Sequence, residues 1–239
     1  MIKARGITKL YKIPHERRTT LFETLLGYVK NQLSYEDLYA LQDVSFEIRR
    51  GEMVGLIGKN GSGKTTLLKI LSRIVLPTHG TFTIEGRVSP LLSLSVGFHG
   101  ELTALENLYL YGAILGLSRK TVRQKINTIF EFAGLERFED MKLKNFSSGM
   151  IARLAFAIMV QTDSDVLLVD EIFAVGDKDF KPKCIAVFEE YKKMGKTIIF
   201  ASHDLDTIAE YCDRTILLHE GKIEMFGKTK KVLEYYKTI

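Results

Sequence analysis

The strongest constraint on the fold is the octapeptide Gly58-Lys59-Asn60-Gly61-Ser62-Gly63-Lys64-Thr65. It lies between an apolar run, Met53-Val54-Gly55-Leu56-Ile57, and a run with helical spacing, Thr66-Leu67-Leu68-Lys69-Ile70-Leu71. Strand, glycine-rich loop and helix in that order form the local frame in which a loop of this kind cradles phosphate. The glycines let successive amide N–H groups converge on one concavity, and the start of the helix adds positive potential. Lys64 is placed to reach the β- and γ-phosphates of a nucleoside triphosphate. The Thr65 hydroxyl is placed to ligate a magnesium ion bridging them, and Thr66 beside it counts with the loop among the nucleotide-binding residues.

A second apolar run, Asp165-Val166-Leu167-Leu168-Val169-Asp170-Glu171, has the unbroken character of a parallel strand and ends in two carboxylates. Open α/β sheets hold ligands beyond the carboxyl ends of such strands. Asp170 therefore fits the metal-side acid, and Glu171 stands one residue closer to an attacking water. A further strand, Thr197-Ile198-Ile199-Phe200-Ala201-Ser202, carries His203 to the same edge.

Around these units the chain reads as α/β. Strands are expected over Ile2 to Tyr11 and Leu41 to Ile48. Between them, over about 14–36, Leu21, Phe22, Leu25, Leu26, Val29 and Leu33 recur at helical spacing after a polar start. This amphipathic insertion either packs on the domain or docks on a membrane partner or the membrane surface, and the sequence favours neither. From Leu102 to about Ala157 the spacing is mostly helical, a helical subdomain over about 97–160 inserted into one domain spanning 1–239. It ends in Phe146-Ser147-Ser148-Gly149-Met150 at the start of a helix. Taken alone, that segment is an N-cap; it is also a second possible anion site. A helix, a strand, a Glu220-Gly221 turn, a short strand and a closing helix complete the chain.

Composition narrows the class. With 46% apolar and 26% charged residues the chain is an ordinary globular one. No apolar run approaches the roughly 20 residues needed to cross a bilayer, and the N-terminus has no signal-like block, so a cytosolic location is expected. Cys184 and Cys212 lack metal-ligand spacing and read as reduced thiols. The net charge of +5 is dispersed along the chain, a solvated surface first and no nucleic-acid stripe.

Phosphate loop, helical insert, Ser-Ser-Gly-Met, Val-Asp-Glu and a late histidine occur in an order that resembles the nucleotide-binding subunit of ABC transporters, over nearly the whole chain. The resemblance implies the P-loop ATPase fold of that family, a mixed sheet core with antiparallel edge strands and an inserted helical subdomain. It implies ATP and Mg2+ as ligands, with Glu171 as general base or water-orienting residue and His203 as the switch histidine at the γ-phosphate. It further implies that Ser147, Ser148 and Gly149 meet the nucleotide held by a second copy, and that Asp177 crosses the dimer interface. An adenine-stacking aromatic is implied as Tyr11 or Tyr39, with the choice open. The Phe-Ser-Ser-Gly-Met variant, Ile172-Phe173-Ala174-Val175-Gly176-Asp177 and Gly97-Phe98-His99 look like the polysaccharide exporters for O-antigen, capsular polysaccharide and teichoic acid. In those the ATPase dimer serves a separate transmembrane permease from the cytoplasmic face of the membrane, and this domain need not touch the polysaccharide. The alternatives are a soluble ABC ATPase acting on nucleic acid or ribosomes, or an ABC transporter ATPase for a different substrate. One departure stands out: Ser93, Leu94 and Ser95 occupy the region where the family has a glutamine.

Overall fold

The computed structural model describes residues 1–14, 35–91, 97–170 and 180–238. Strands β1 (Ile2–Pro14) and β2 (Tyr35–Ile48) pair antiparallel from Ile2 opposite Ile48 to Pro14 opposite Tyr35. With β4 (His79–Ile84) on the other side of β1 they form a three-stranded sheet in the order β2-β1-β4.

The larger sheet contains β3 (Met53–Ile57), β5 (Val88–Leu91), β6 (Val166–Asp170), β7 (Thr197–Ala201), β8 (Arg214–His219) and β9 (Lys222–Lys228). Its order is β5-β6-β7-β3-β8-β9, parallel except for β9, which returns antiparallel along β8. Pro90 sits in β5, at the sheet's edge, where a missing N–H costs no ladder bond. The strands β6, β7 and β3 are buried over nearly their whole length because both faces are covered. Met53 and Ile57 of β3 enter one core with Phe156, Phe188 and Phe200, while Val54 and Leu56 enter another with Ile2, Val44 and Leu67. The period of two along β3 thus divides the two cores.

Helix α1 (Lys64–Leu71) follows β3 and buries Leu67, Leu68, Ile70 and Leu71 in the core shared with the smaller sheet. Helices α2 (Ala104–Ile114), α3 (Arg119–Ala133) and α4 (Ser148–Met159) surround a third core that includes Leu108, Ile129, Phe130 and Leu154. α4 also sends Phe156 and Met159 into the sheet core, which anchors the helical insert. Helices α5 (Lys181–Lys193), α6 (Leu205–Tyr211) and α7 (Thr229–Tyr236) complete that side.

The expected strands recur with longer bounds. β1 and β2 run three and more residues past Tyr11 and Leu41 to their ends at Pro14 and Tyr35, so both margins of the expected insertion are paired backbone. Side chains from Tyr35 to Tyr39 are all exposed, so no apolar alternation marks this part of β2. The apolar positions of the insertion, Leu21 to Leu33, lie outside the described residues.

Candidate nucleotide site

The loop after β3 is shaped by what surrounds it. Gly58 has φ 148, and a Cβ there would stand 2.2 Å from the Leu218 carbonyl oxygen on β8. Gly63 has φ 106, and its Cβ would stand 2.5 Å from the Ala40 carbonyl oxygen on β2. The loop therefore closes only where backbone meets backbone. Lys64 is 6% exposed, and its Nζ donates to the carbonyls of Gly58 at 2.7 Å and Lys59 at 3.1 Å. The ammonium thus lies along the loop's own backbone. Gly63 is the N-cap of helix α1 and contributes no side-chain cap, so the positive end of the helix faces the loop, an arrangement that suits an anion.

The parallel order places three strand ends side by side, those of β6, β7 and β3. From the first comes Asp170, whose Oδ2 accepts a hydrogen bond from Thr65 Oγ1 at 2.8 Å. A hydroxyl and a carboxylate in contact form a hard oxygen pair of the kind magnesium takes. From the second comes His203, exposed, between Ser202 and Asp204. Ser202 Oγ accepts from the Asp204 amide at 3.0 Å, and Asp204 caps α6 by accepting from Asp206 and Thr207. The Thr207 hydroxyl, bonded to the Asp204 carboxylate at 2.6 Å, holds that carboxyl below its ordinary value, and Lys181 at 3.5 Å adds to the effect.

These parts meet in a cleft of about 320 Å3 lined by Asn60, Gly61, Gly63, Lys64, Thr65 and Thr66 from the loop and α1, and by His203. Across from them it is lined by Tyr11 and by Tyr39, with Leu38 and Ala40 beside the second. Both tyrosines named in the sequence therefore reach the cleft. Leu38 and Ala40 were not foreseen; the pairing of Leu38 with Tyr11 on the extended hairpin brings them there. The Lys9 ammonium lies 5.0 Å from the Tyr11 ring centroid and donates to the Leu76 carbonyl at 3.0 Å.

Ser147, Ser148 and Gly149 are not among the residues lining the cleft. Ser147 is the N-cap of α4, accepting from the Met150 amide at 3.2 Å, and both serines are exposed. The cap expected from the sequence is present, at a surface. Glu171, Asp177 and the segment containing Ser93, Leu94 and Ser95 lie outside the described residues.

Residues 41–174 match the family described as ABC transporter. An O-antigen export system ATP-binding protein RfbB from Klebsiella pneumoniae is 42% identical over 240 residues, covering 99% of this chain and 97% of the relative. The teichoic acids export ATP-binding protein TagH of Bacillus anthracis is 36% identical over 235 residues, covering 98% of this chain and 42% of its own length. Among solved structures, a dimeric ATP-binding cassette in a post-hydrolysis state bound to ADP and Pi superposes with a TM-score of 0.77 at 25% identity, covering 96% of this chain and 99% of that one. The loop after β3 and His203 line one cleft on a cassette fold, Asp170 is bonded to the Thr65 of that lining, and the chain belongs to the ABC transporter family.

Proposed function

We propose that this chain binds and hydrolyses ATP as a dimer and thereby drives export of a lipid-linked polysaccharide, of O-antigen type, through a separate transmembrane permease. The observation that carries the enzymatic part is the cleft lined by Lys64, Thr65 and His203, with Asp170 bonded to Thr65. Lys64 and the first N–H groups of α1 hold the triphosphate. Thr65 and Asp170 hold Mg2+, which when bound neutralises charge on the phosphates. Glu171 orients or deprotonates the water, and His203 donates to the terminal phosphate. Tyr11 or Tyr39 stacks on the adenine.

The dimer is supported by the exposure of Ser147 and Ser148 away from the cleft. In this reading those serines, Gly149 and Asp177 complete the site on the partner copy, so ATP closes two half-sites at once. The permease is supported by two facts: no helix among the described residues is long and apolar enough to cross a membrane, and the relatives are named as ATP-binding proteins of export systems. The chain then works at the cytoplasmic face of the membrane, and its closure and reopening supply the two states that a pump alternates between.

The test is ATP turnover by Glu171→Gln. Loss of a placed base lowers the rate by about 10²- to 10⁴-fold. Turnover near that of the parent protein would remove Glu171 from this role.

A further inference from the structure

We infer that Gly221 is a positioning residue that sets the tyrosine-bearing hairpin against the phosphate loop, and so fixes the span between base and triphosphate. The inference rests on reading the cleft as a nucleotide site. Glu220 and Gly221 form the turn between β8 and β9, with His219 paired to Lys222 and φ of 45 and 76 at the two central residues. Two positive φ values are what a tight hairpin turn of this hand requires.

This turn is wedged between two parts of the site. The Gly221 amide donates to the Ser62 carbonyl of the phosphate loop at 3.1 Å, and the Gly221 carbonyl accepts from the Gln42 amide of β2 at 2.8 Å. One residue thus bonds the phosphate side and the hairpin side in opposite directions. The contact is too close for a side chain: a Cβ on Gly221 would stand 2.9 Å from the Ala40 carbonyl oxygen and 3.2 Å from Leu41 Cα. From the other side, a Cβ on Gly63 would stand 2.5 Å from that same Ala40 oxygen. The Ala40 carbonyl is therefore seated in a slot between two glycines. Tyr39 and Ala40, on the cleft wall, are located by that slot.

A side chain at position 221 presses on β2 rather than on the phosphate loop. It should weaken contacts to the base and spare those to the phosphates. The experiment is calorimetric titration of the parent protein and of Gly221→Ala with Mg-ATP and with magnesium tripolyphosphate, which has phosphates and no base. The parent is expected to prefer ATP. In the variant ATP affinity is expected to fall about tenfold while tripolyphosphate stays within about twofold. If the parent binds both alike, or the variant loses both in parallel or neither, Gly221 does not set the span. Failure of the parent to bind ATP at all would overturn the nucleotide reading and this inference together. Should alanine at a positive φ unfold the chain, Gly221→Asn carries the same Cβ on a residue that tolerates this backbone, and the same ratio is read from it.

Discussion

The Thr65 hydroxyl donates to the Asp170 carboxylate across 2.8 Å, joining the second residue of α1 to the last residue of β6. The bond holds together the two oxygens proposed to hold the metal, which lie far apart in the chain. Asp170→Asn keeps an oxygen able to accept from Thr65 and removes only the charge. Its melting temperature is expected to match the parent's, while Mg-dependent hydrolysis falls by at least about 10²-fold. A phosphate-release assay across a magnesium titration checks this. Activity restored by high magnesium would point to weakened affinity alone.

Both tyrosines reach the cleft, but Tyr11 has the more fixed ring, since Lys9 is stacked on it and is itself anchored to Leu76. Tyr39 is 49% exposed. Tyr11→Ala is expected to weaken ATP binding by about 1 to 2 kcal/mol, the size of one base–aromatic stack, with Tyr39→Ala nearer neutral. Displacement of a fluorescent nucleotide ranks the two variants, and the opposite ranking would assign the stack to Tyr39.

Ser147→Arg loses the cap on α4 and so about 1 kcal/mol of stability. Ser147→Asp keeps a capping oxygen but sets a carboxylate where the proposed shared site would bring the partner's triphosphate. Each is expected to bind ATP as a monomer and to form no ATP-dependent dimer by light scattering. A dimer of normal affinity from the Asp variant would count against a shared site.

The Asp204 carboxyl is held low chiefly by the Thr207 hydroxyl, with the Thr207 amide, Lys181 and the Asp206 amide acting the same way. Its folded pKa lies below the unfolded one, so the ionised cap contributes stability fully above the unfolded value. That stability is lost as pH falls through the folded value. Asp204→Ala should cost about 1 kcal/mol at neutral pH. The gap to the parent should close as pH drops below about 4. Thermal melts at a series of pH values would show a constant gap if the cap contributes through packing alone.

Burial pushes the thiols of Cys184 and Cys212 up to about 12. Native protein at pH 8 is therefore expected to resist iodoacetamide, and denatured protein to take up label at both positions. Mass spectrometry of the two states reads this directly, and rapid labelling of native protein would mean that α5 or α6 opens readily.

The phosphate loop was legible because its requirements are local: a buried strand, glycines, a lysine and a helix start, all within one short stretch. Asp170 and His203 were legible for a similar reason, since each ends an apolar run typical of a central strand. The extension of β2 from Leu41 back to Tyr35 was not, because every side chain from Tyr35 to Tyr39 faces solvent and leaves no apolar period. Leu38 and Ala40 consequently went unseen as cleft residues. The part played by Gly221 was hidden for another reason: the Glu220-Gly221 turn was evident, but its partners Ser62 and Gln42 are distant in sequence and are contacted through backbone atoms. Ser147 carried two readings, and the structure supplies the cap because that bond lies within its own helix.

The side-by-side order of β6, β7 and β3 has a consequence for the life of the protein in the cell. A nucleotide seated at those strand ends bridges segments from Gly58 to His203 that only the intact sheet brings together, so it binds the folded chain and not the unfolded one. At a hundred times its dissociation constant such a ligand adds about 2.7 kcal/mol to the free energy of unfolding. Resistance to proteolysis should therefore rise and fall with the supply of ATP, and a starved cell would lose this subunit sooner than a fed one.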